Sequence, residues 1–183
     1  MKVLVVVDMQ NDFITGSLGT PEAQAIVPNV KKKIEEYRNN GDLIVFTRDT
    51  HEAGYLDTKE GKKLPVEHCI KHTHGWQIAD GLVGDIFNTD DVVIDKGTFG
   101  STKLLSDLNQ RFWYSGKERF TEIELIGLCT DICVVSNALL LKANFYNDCD
   151  ISVDATCCAG VTPETHEAAL KTMEMCQINV KRG

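Results

Sequence analysis

No apolar run in this 183-residue chain is long enough to cross a bilayer. Stretches such as Val3-Leu4-Val5-Val6-Val7 fall far short of the roughly 20 residues a spanning helix needs. The start also lacks the charged region, longer apolar run and small-residue cleavage site of a signal peptide. Positive charge is scarce as well: 19 Lys and Arg stand against 27 Asp and Glu, a formal net charge of -8. No basic stripe interleaved with aromatics offsets it, so the surface would repel nucleic acid phosphates. The seven cysteines are odd in number and lack the spacing of a disulfide framework, which fits a reducing compartment. Internal repeats, low-complexity tracts and interdomain linkers are missing too. These absences leave a soluble, cytoplasmic protein, with neither a membrane nor a nucleic acid as partner, as the expectation. With 43% hydrophobic content the chain can bury one core, so a single domain over residues 1–183 is expected.

What the sequence does contain is a rhythm of short apolar runs and helical patterns. The runs are Val3 to Val7, Leu43 to Thr47, Val92 to Ile94, Glu122 to Ile126, Ile151 to Val153 and Ile178 to Val180. Helical spacing fills Pro21 to Asn39, Ser101 to Phe112, Asp131 to Tyr146 and Pro163 to Met175. Strands that are apolar throughout and alternate with helices predict an α/β fold of three layers, Rossmann-like, whose mainly parallel sheet of about six strands is covered on both faces. In such sheets ligands sit outside the carboxyl ends of the strands. Asp8, Asp49, Lys96 and Cys133 each fall just after a predicted strand, so four placements converge on one edge. The segment from Asp49 to Asp91 breaks the rhythm: it is long, polar and punctuated by glycine, and loops of that kind are usually functional or disordered. It carries His68, Cys69, His72 and His74.

Cys133 follows the run Ile123-Glu124-Leu125-Ile126-Gly127 and sits in the predicted first turn of the next helix. Free amide hydrogens and the positive helix end stabilise a thiolate there and can hold an oxyanion. Its bland alternative is a small core residue, a role better suited to Cys129, Cys149, Cys157, Cys158 and Cys176. A nucleophilic thiol needs a base or cation and gains from a proton shuttle. Asp8, at the end of an aliphatic strand, and Lys96 suit those roles, with a structural salt bridge as the competing reading. Asp49 and His51 project to one side of an extended segment and, with His68, offer one carboxylate and two imidazoles. Such a set suits zinc, iron(II) or manganese. His72 and His74 are expected on solvated loop surface, and His166, on a late helix, is expected to be unrelated. Ser101 reads as a helix cap.

Five segments, Val7-Asp8-Met9-Gln10-Asn11-Asp12-Phe13, Thr47-Arg48-Asp49-Thr50-His51, His68-Cys69, Asp95-Lys96 and Gly127-Leu128-Cys129-Thr130-Asp131-Ile132-Cys133-Val134, resemble the nicotinamidase/isochorismatase-like cysteine hydrolase superfamily in both residues and order. The resemblance implies the isochorismatase-like hydrolase fold. It also implies a triad with Cys133 as nucleophile, Asp8 as general acid and base, and Lys96 as the positive partner. It implies further a cis peptide at Leu128-Cys129, with the backbone amides of Cys129 and Cys133 forming an oxyanion hole. Asp49, His51 and His68 would hold a divalent metal, zinc first and iron or manganese as alternatives. The family's members often form homo-oligomers.

Isochorismatases lack the nucleophilic thiol, so Cys133 points toward acyl chemistry: cleavage of the C-N bond of a small amide through a thioester, with nicotinamide as first candidate. Two departures bear on that substrate. Nicotinamidases commonly carry Trp between the metal-binding Asp and His, where this chain has Thr50, and an aromatic before the His-Cys pair, where it has Leu64-Pro65-Val66-Glu67. Phe13 is the expected aromatic wall of the substrate pocket, with Trp76, Phe99 or Tyr55 as replacements for what is missing. A ureido- or carbamoyl-amide hydrolase without a metal is the alternative within the family. A thiol redox or metal-binding module built on Cys129, Cys133, Cys157 and Cys158 is the alternative outside it.

Overall fold

The computed structural model describes residues 1–83, 91–114 and 119–183. Part of the polar segment singled out above, residues 84–90, therefore lies outside the described residues. Six strands form one sheet: β1 (Lys2–Val7), β2 (Leu43–Asp49), β3 (Val92–Lys96), β4 (Glu122–Leu128), β5 (Asp150–Ala159) and β6 (Asn179–Lys181). Their order is β3-β2-β1-β4-β5-β6, and every pairing is parallel. The expected α/β architecture is thus found, with five of the six strands longer than the apolar runs suggested. Ladder pairing carries β2 to Asp49 and β3 to Lys96, directly opposite each other, because backbone hydrogen bonds continue where hydropathy stops.

Alternation along β1 divides the core. Val3, Val5 and Val7 face one side, packed under α3 (Thr102–Tyr114), α4 (Val135–Asn144) and α5 (Pro163–Met175) through Leu104, Leu108, Ala138, Leu141, Leu170 and Met173. Leu4 and Val6 face the other, covered by Ile26, Val30 and Ile34 of α2 (Pro21–Asn39). A short helix, α1 (Asn11–Ile14), follows β1. Thr20 caps α2 by accepting from Ala23 N at 3.0 Å, and Pro21 starts it. Ser101 caps α3 as expected, its hydroxyl accepting from Leu104 N at 3.1 Å. Among the described residues no helix is long and apolar enough to cross a membrane.

The chain winds outward in both directions from β1 and β4, so their adjoining carboxyl ends form the topological switch point, where sheets of this order bind ligands. Two backbone features fit this crevice. Gly127 has φ +115°, and a Cβ there would meet Val7 O at 2.1 Å, so only glycine lets β4 approach the end of β1. Asp8 takes φ +48°, unusual for a residue with a side chain and the kind of departure that clusters at functional sites.

Candidate active site

Asp8, Lys96 and Cys133 meet at this crevice although 125 residues separate the first from the last. Lys96 Nζ lies 2.6 Å from Asp8 Oδ2 and 3.5 Å from both Cys133 Sγ and Asp49 Oδ1. Asp8 Oδ1 accepts from the Thr47 hydroxyl at 2.7 Å, which leaves Oδ2 to face the ammonium. All three side chains are buried. Burial raises the Asp8 carboxyl above the usual range against the opposing pull of Lys96. Burial also works against the Lys96 charge, but the Asp8 and Asp49 carboxylates hold the ammonium firmly protonated.

Two expectations about Cys133 change. The residue does not open an α-helix; it lies in a π-helical turn, Thr130–Val134, that precedes α4. The expected thiolate is also not the resting form: burial, then the Asp8 charge, push the thiol well above its ordinary value despite Lys96. A dry floor and a neighbouring carboxylate outweigh the amide hydrogens of a helix start. The Leu128-Cys129 peptide is cis. Among the spare thiols, burial raises Cys129 to about 12, and Cys149 and Cys157 each to about 11.

Cys133 floors a cavity of about 340 Å³ lined by Phe13, Leu18, Leu64, Phe99, Cys129, Ile132 and Val161, with Asp49, Glu60 and His68 as its charged or titratable wall. Phe13 lies on the cavity wall with its ring 5.6 Å from that of His68. Phe99 supplies a second aromatic, half exposed at the mouth. Trp76 and Tyr55 do not line the cavity. Trp76 is buried with its Nε1 donating to Thr50 Oγ1 at 2.8 Å and Arg48 stacked over its ring, while Tyr55 packs behind His51 and His68.

Asp49, His51 and His68 place their ligand atoms within 4.8 Å of one another. Asp49 Oδ2 lies 3.0 Å from His51 Nε2 and 3.6 Å from His68 Nε2. His68 Nδ1 bonds Val66 O at 2.8 Å, which turns Nε2 toward the carboxylate, the outer contact that orients a metal-binding imidazole. Burial opposes ionisation of Asp49, but the two imidazoles and Lys96 hold it below the usual carboxylate range. A buried donor set of one anionic oxygen and two nitrogens fits a borderline divalent ion. His72 and His74 are exposed, as expected.

Four residues at the site were not singled out from the sequence as site residues. Gln10 brackets Asp49: its Nε2 donates to Asp49 O at 2.8 Å, and its Oε1 accepts from Asp49 N at 2.7 Å. Asp12 Oδ2 accepts from Cys69 N at 2.8 Å and so tethers the loop that carries His68. Glu60 lies on the cavity wall 3.8 Å from His51. His166, expected to be unrelated, bonds Thr130 at the entrance of the π-turn. A buried amide at a strand end could have flagged Gln10. Nothing local flags the others, because their partners are remote in sequence.

The sheet, the crevice and the cysteine turn define a layered α/β protein with a buried thiol at the switch point of its sheet. Comparison with known proteins makes the family definite: the isochorismatase domain matches residues 2–181, and the chain belongs to that family. It is 27% identical to the nicotinamidase of Saccharomyces cerevisiae over 76% of this chain and 80% of that one. It is 31% identical to an Arabidopsis thaliana protein described as a "probable inactive nicotinamidase", over 97% of this chain and 89% of that one. Among solved structures, the zinc complex of Pyrococcus horikoshii pyrazinamidase superposes with a TM-score of 0.80 at 27% identity, covering 100% of this chain and 99% of that one. The N-carbamoylsarcosine amidase of Thermoplasma acidophilum gives 0.77 at 30% identity, over 100% and 96%.

Proposed function

We propose that this chain is a cysteine amidohydrolase that cleaves the C-N bond of a small uncharged amide through a thioester, with nicotinamide as the first substrate to test. The observation that carries this is the contact of Lys96 with both Asp8 and Cys133 at the floor of an apolar cavity. Likeness to both active nicotinamidases and a relative described as inactive makes the side chains decisive, and here all three are present and touching.

The chemistry follows from the resting charges. Burial raises the proton affinity of both Asp8 and Cys133, so the thiol rests protonated and the Asp8 carboxylate is a stronger base than a free one. Cys133 gives its proton to Asp8 Oδ2 as sulfur attacks the amide carbon, and Lys96 compensates the charge that forms. The backbone amides of Cys129 and Cys133 receive the oxyanion. On collapse Asp8 returns the proton to the departing nitrogen, and ammonia or an amine leaves. Asp8 then takes a proton from water as its oxygen attacks the thioester, giving the carboxylic acid and freeing the thiol. Asp49, His51 and His68 would hold the divalent ion, zinc in the first instance, which when bound supplies a Lewis acid beside the carbonyl or a ring nitrogen. We further take the working form to be a cytoplasmic homo-oligomer, a state that light scattering on the purified protein would test.

The carbamoyl-amide alternative draws support from the likeness to N-carbamoylsarcosine amidase. Against it, the charged residues on the cavity wall are acidic, Asp49 and Glu60, and Lys96 is held by Asp8 and Asp49. No Lys or Arg is among the described residues lining the cavity, so a ureido acid's carboxylate would find no side-chain cation there. A panel of nicotinamide, benzamide and N-carbamoyl amino acids with an ammonia readout tests the choice. Turnover of the neutral amides, absent in Cys133→Ala, is expected; turnover confined to the carbamoyl acids would overturn this reading in favour of the alternative.

A further inference from the structure

The turn that carries Cys133 is fastened from outside the triad. Thr130, its first residue, is fully buried, and its hydroxyl lies 2.8 Å from His166 Nδ1 in the first turns of α5. Its neighbour Asp131 accepts from Val161 N through both carboxylate oxygens, at 3.1 and 3.2 Å. Val161 itself lines the cavity. Gly160 lets the intervening loop close on α5, since a Cβ there would come within 2.9 Å of the His166 backbone. Consecutive residues of the turn are therefore pinned to α5 and to the loop before it, immediately after Cys129.

We propose that His166 and Thr130 form a positioning pair that holds the oxyanion turn in register with Cys133, an inference that rests on the amidase reading above. Neither side chain touches the substrate cavity floor or the triad; each acts through the backbone from Cys129 to Cys133. A hydrogen bond is suited to this because it fixes direction, which apolar packing of Thr130 alone would not. Burial lowers the proton affinity of His166 against the raising effect of Glu167 and Asp131, which favours a neutral ring able to accept from the Thr130 hydroxyl. Displacing oxyanion donors by a fraction of their bond length weakens them most when charge develops, so the loss should fall on turnover and spare substrate binding.

Thr130→Val and His166→Ala in the full chain test this, with Thr130→Ser and His166→Asn as variants that keep a hydrogen-bonding atom in place. Three readouts are compared: kcat and KM for nicotinamide, affinity for pyridine-3-carbaldehyde, and the rate of Cys133 alkylation by iodoacetamide. The aldehyde adds the Cys133 sulfur at its carbonyl carbon, and its oxygen takes the place of the oxyanion and receives the thiol proton. Alkylation forms the S-C bond with loss of iodide and needs no oxyanion donor. We expect kcat and aldehyde affinity to fall together by about 10- to 100-fold, with KM and alkylation within about threefold of wild type. Serine and asparagine should restore most of the loss. Unchanged kcat and aldehyde affinity in the folded Val and Ala variants would overturn the pair, as would equal loss of alkylation. Wild type that releases no ammonia but binds the aldehyde counts against the amidase reading alone, and aldehyde affinity set against alkylation still decides the pair. Wild type that does neither overturns both.

Discussion

At the carboxyl ends of β1, β2 and β3 the buried carboxylates of Asp8 and Asp49 share one ammonium, that of Lys96. Toward the amino ends of β4 and β5 the sheet holds a second set, the buried Glu124 and Asp154 and the partly buried Glu122, in which every carboxylate oxygen is matched. Glu124 receives Tyr37 Oη at 2.5 Å and Lys181 at 2.9 Å, with Lys33 at 3.6 Å. Glu122 receives Lys2, Lys181 and Ser152, and Asp154 receives Lys33 and Thr156. The difference separates function from cohesion. Three carboxylates matched by three lysines lower one another's energy and tie β6 and α2 to the sheet, whereas two carboxylates sharing one ammonium beside a thiol leave Asp8 as a proton acceptor in waiting.

The largest test of this contrast is Cys133→Ala. It should lower ammonia release by about 10⁴-fold or more while shifting thermal unfolding by only a few degrees, since it removes one atom from a pocket floor. Asp8→Asn should lower kcat by about 10³-fold. Substantial turnover in either variant would break the comparison at its functional end.

Glu124→Ala tests the other end. It leaves Tyr37, Lys33 and Lys181 facing a vacated carboxylate, and the two lysines can partly rehydrate, so the cost should be about 2–3 kcal/mol, below the 3–5 of a wholly buried pair. For a chain of this size that is a fall of about 5–10 °C in Tm, with kcat within about twofold of wild type. A large loss of turnover without loss of stability would show that the two ends are not separable.

Chelation probes a feature that only the carboxyl end has. Removing the ion from Asp49, His51 and His68 should reduce kcat/KM for nicotinamide by about 10- to 100-fold and leave the Glu124 network untouched, so Tm of Glu124→Ala should remain displaced from wild type by the same amount. Elemental analysis of the purified protein, and recovery with zinc, manganese or iron, would identify the ion.

The fold was legible where apolar runs and ladder pairing coincide, as in Val3 to Val7, and α2 and α5 were found at their expected bounds because Thr-Pro starts each. Strand ends were less so: β5 continues through Asp154 and Thr156 to Ala159, past the last of its first apolar run, because pairing with β4 resumes after a register shift. The π-turn was not legible, since hydropathy spacing does not distinguish it from the α-helix that follows. At the site, Asp8, Lys96, Cys133, Asp49, His51 and His68 could be named because each ends a strand or lies in the one segment that breaks the rhythm. Cys133 as a resting thiol could not, because its environment depends on burial supplied by other elements. Glu60 and His166 were hidden for a similar reason, as each is informative only beside a residue distant in sequence.

The smallest effect separates the two ends by pH. Burial works against ionisation of Glu122, yet the Lys181, Ser152 and Lys2 contacts hold it down to about 2, against about 4.3 in an unfolded chain. A carboxyl whose folded value is depressed contributes stability that is present above the unfolded value and is lost as pH falls through the folded one. Glu122→Gln should therefore be less stable than wild type at pH 6, by about 1 kcal/mol because its lysine partners are half exposed. The Tm gap should narrow below about pH 4.5 and close toward about pH 2. Asp8 carries the opposite sign: its carboxyl is raised, so acid favours the folded form at that position. A Tm gap for Glu122→Gln that stayed constant from pH 6 to pH 2.5 would mean that the amino-end network holds by packing alone, and the charge contrast between the two ends would lose its meaning.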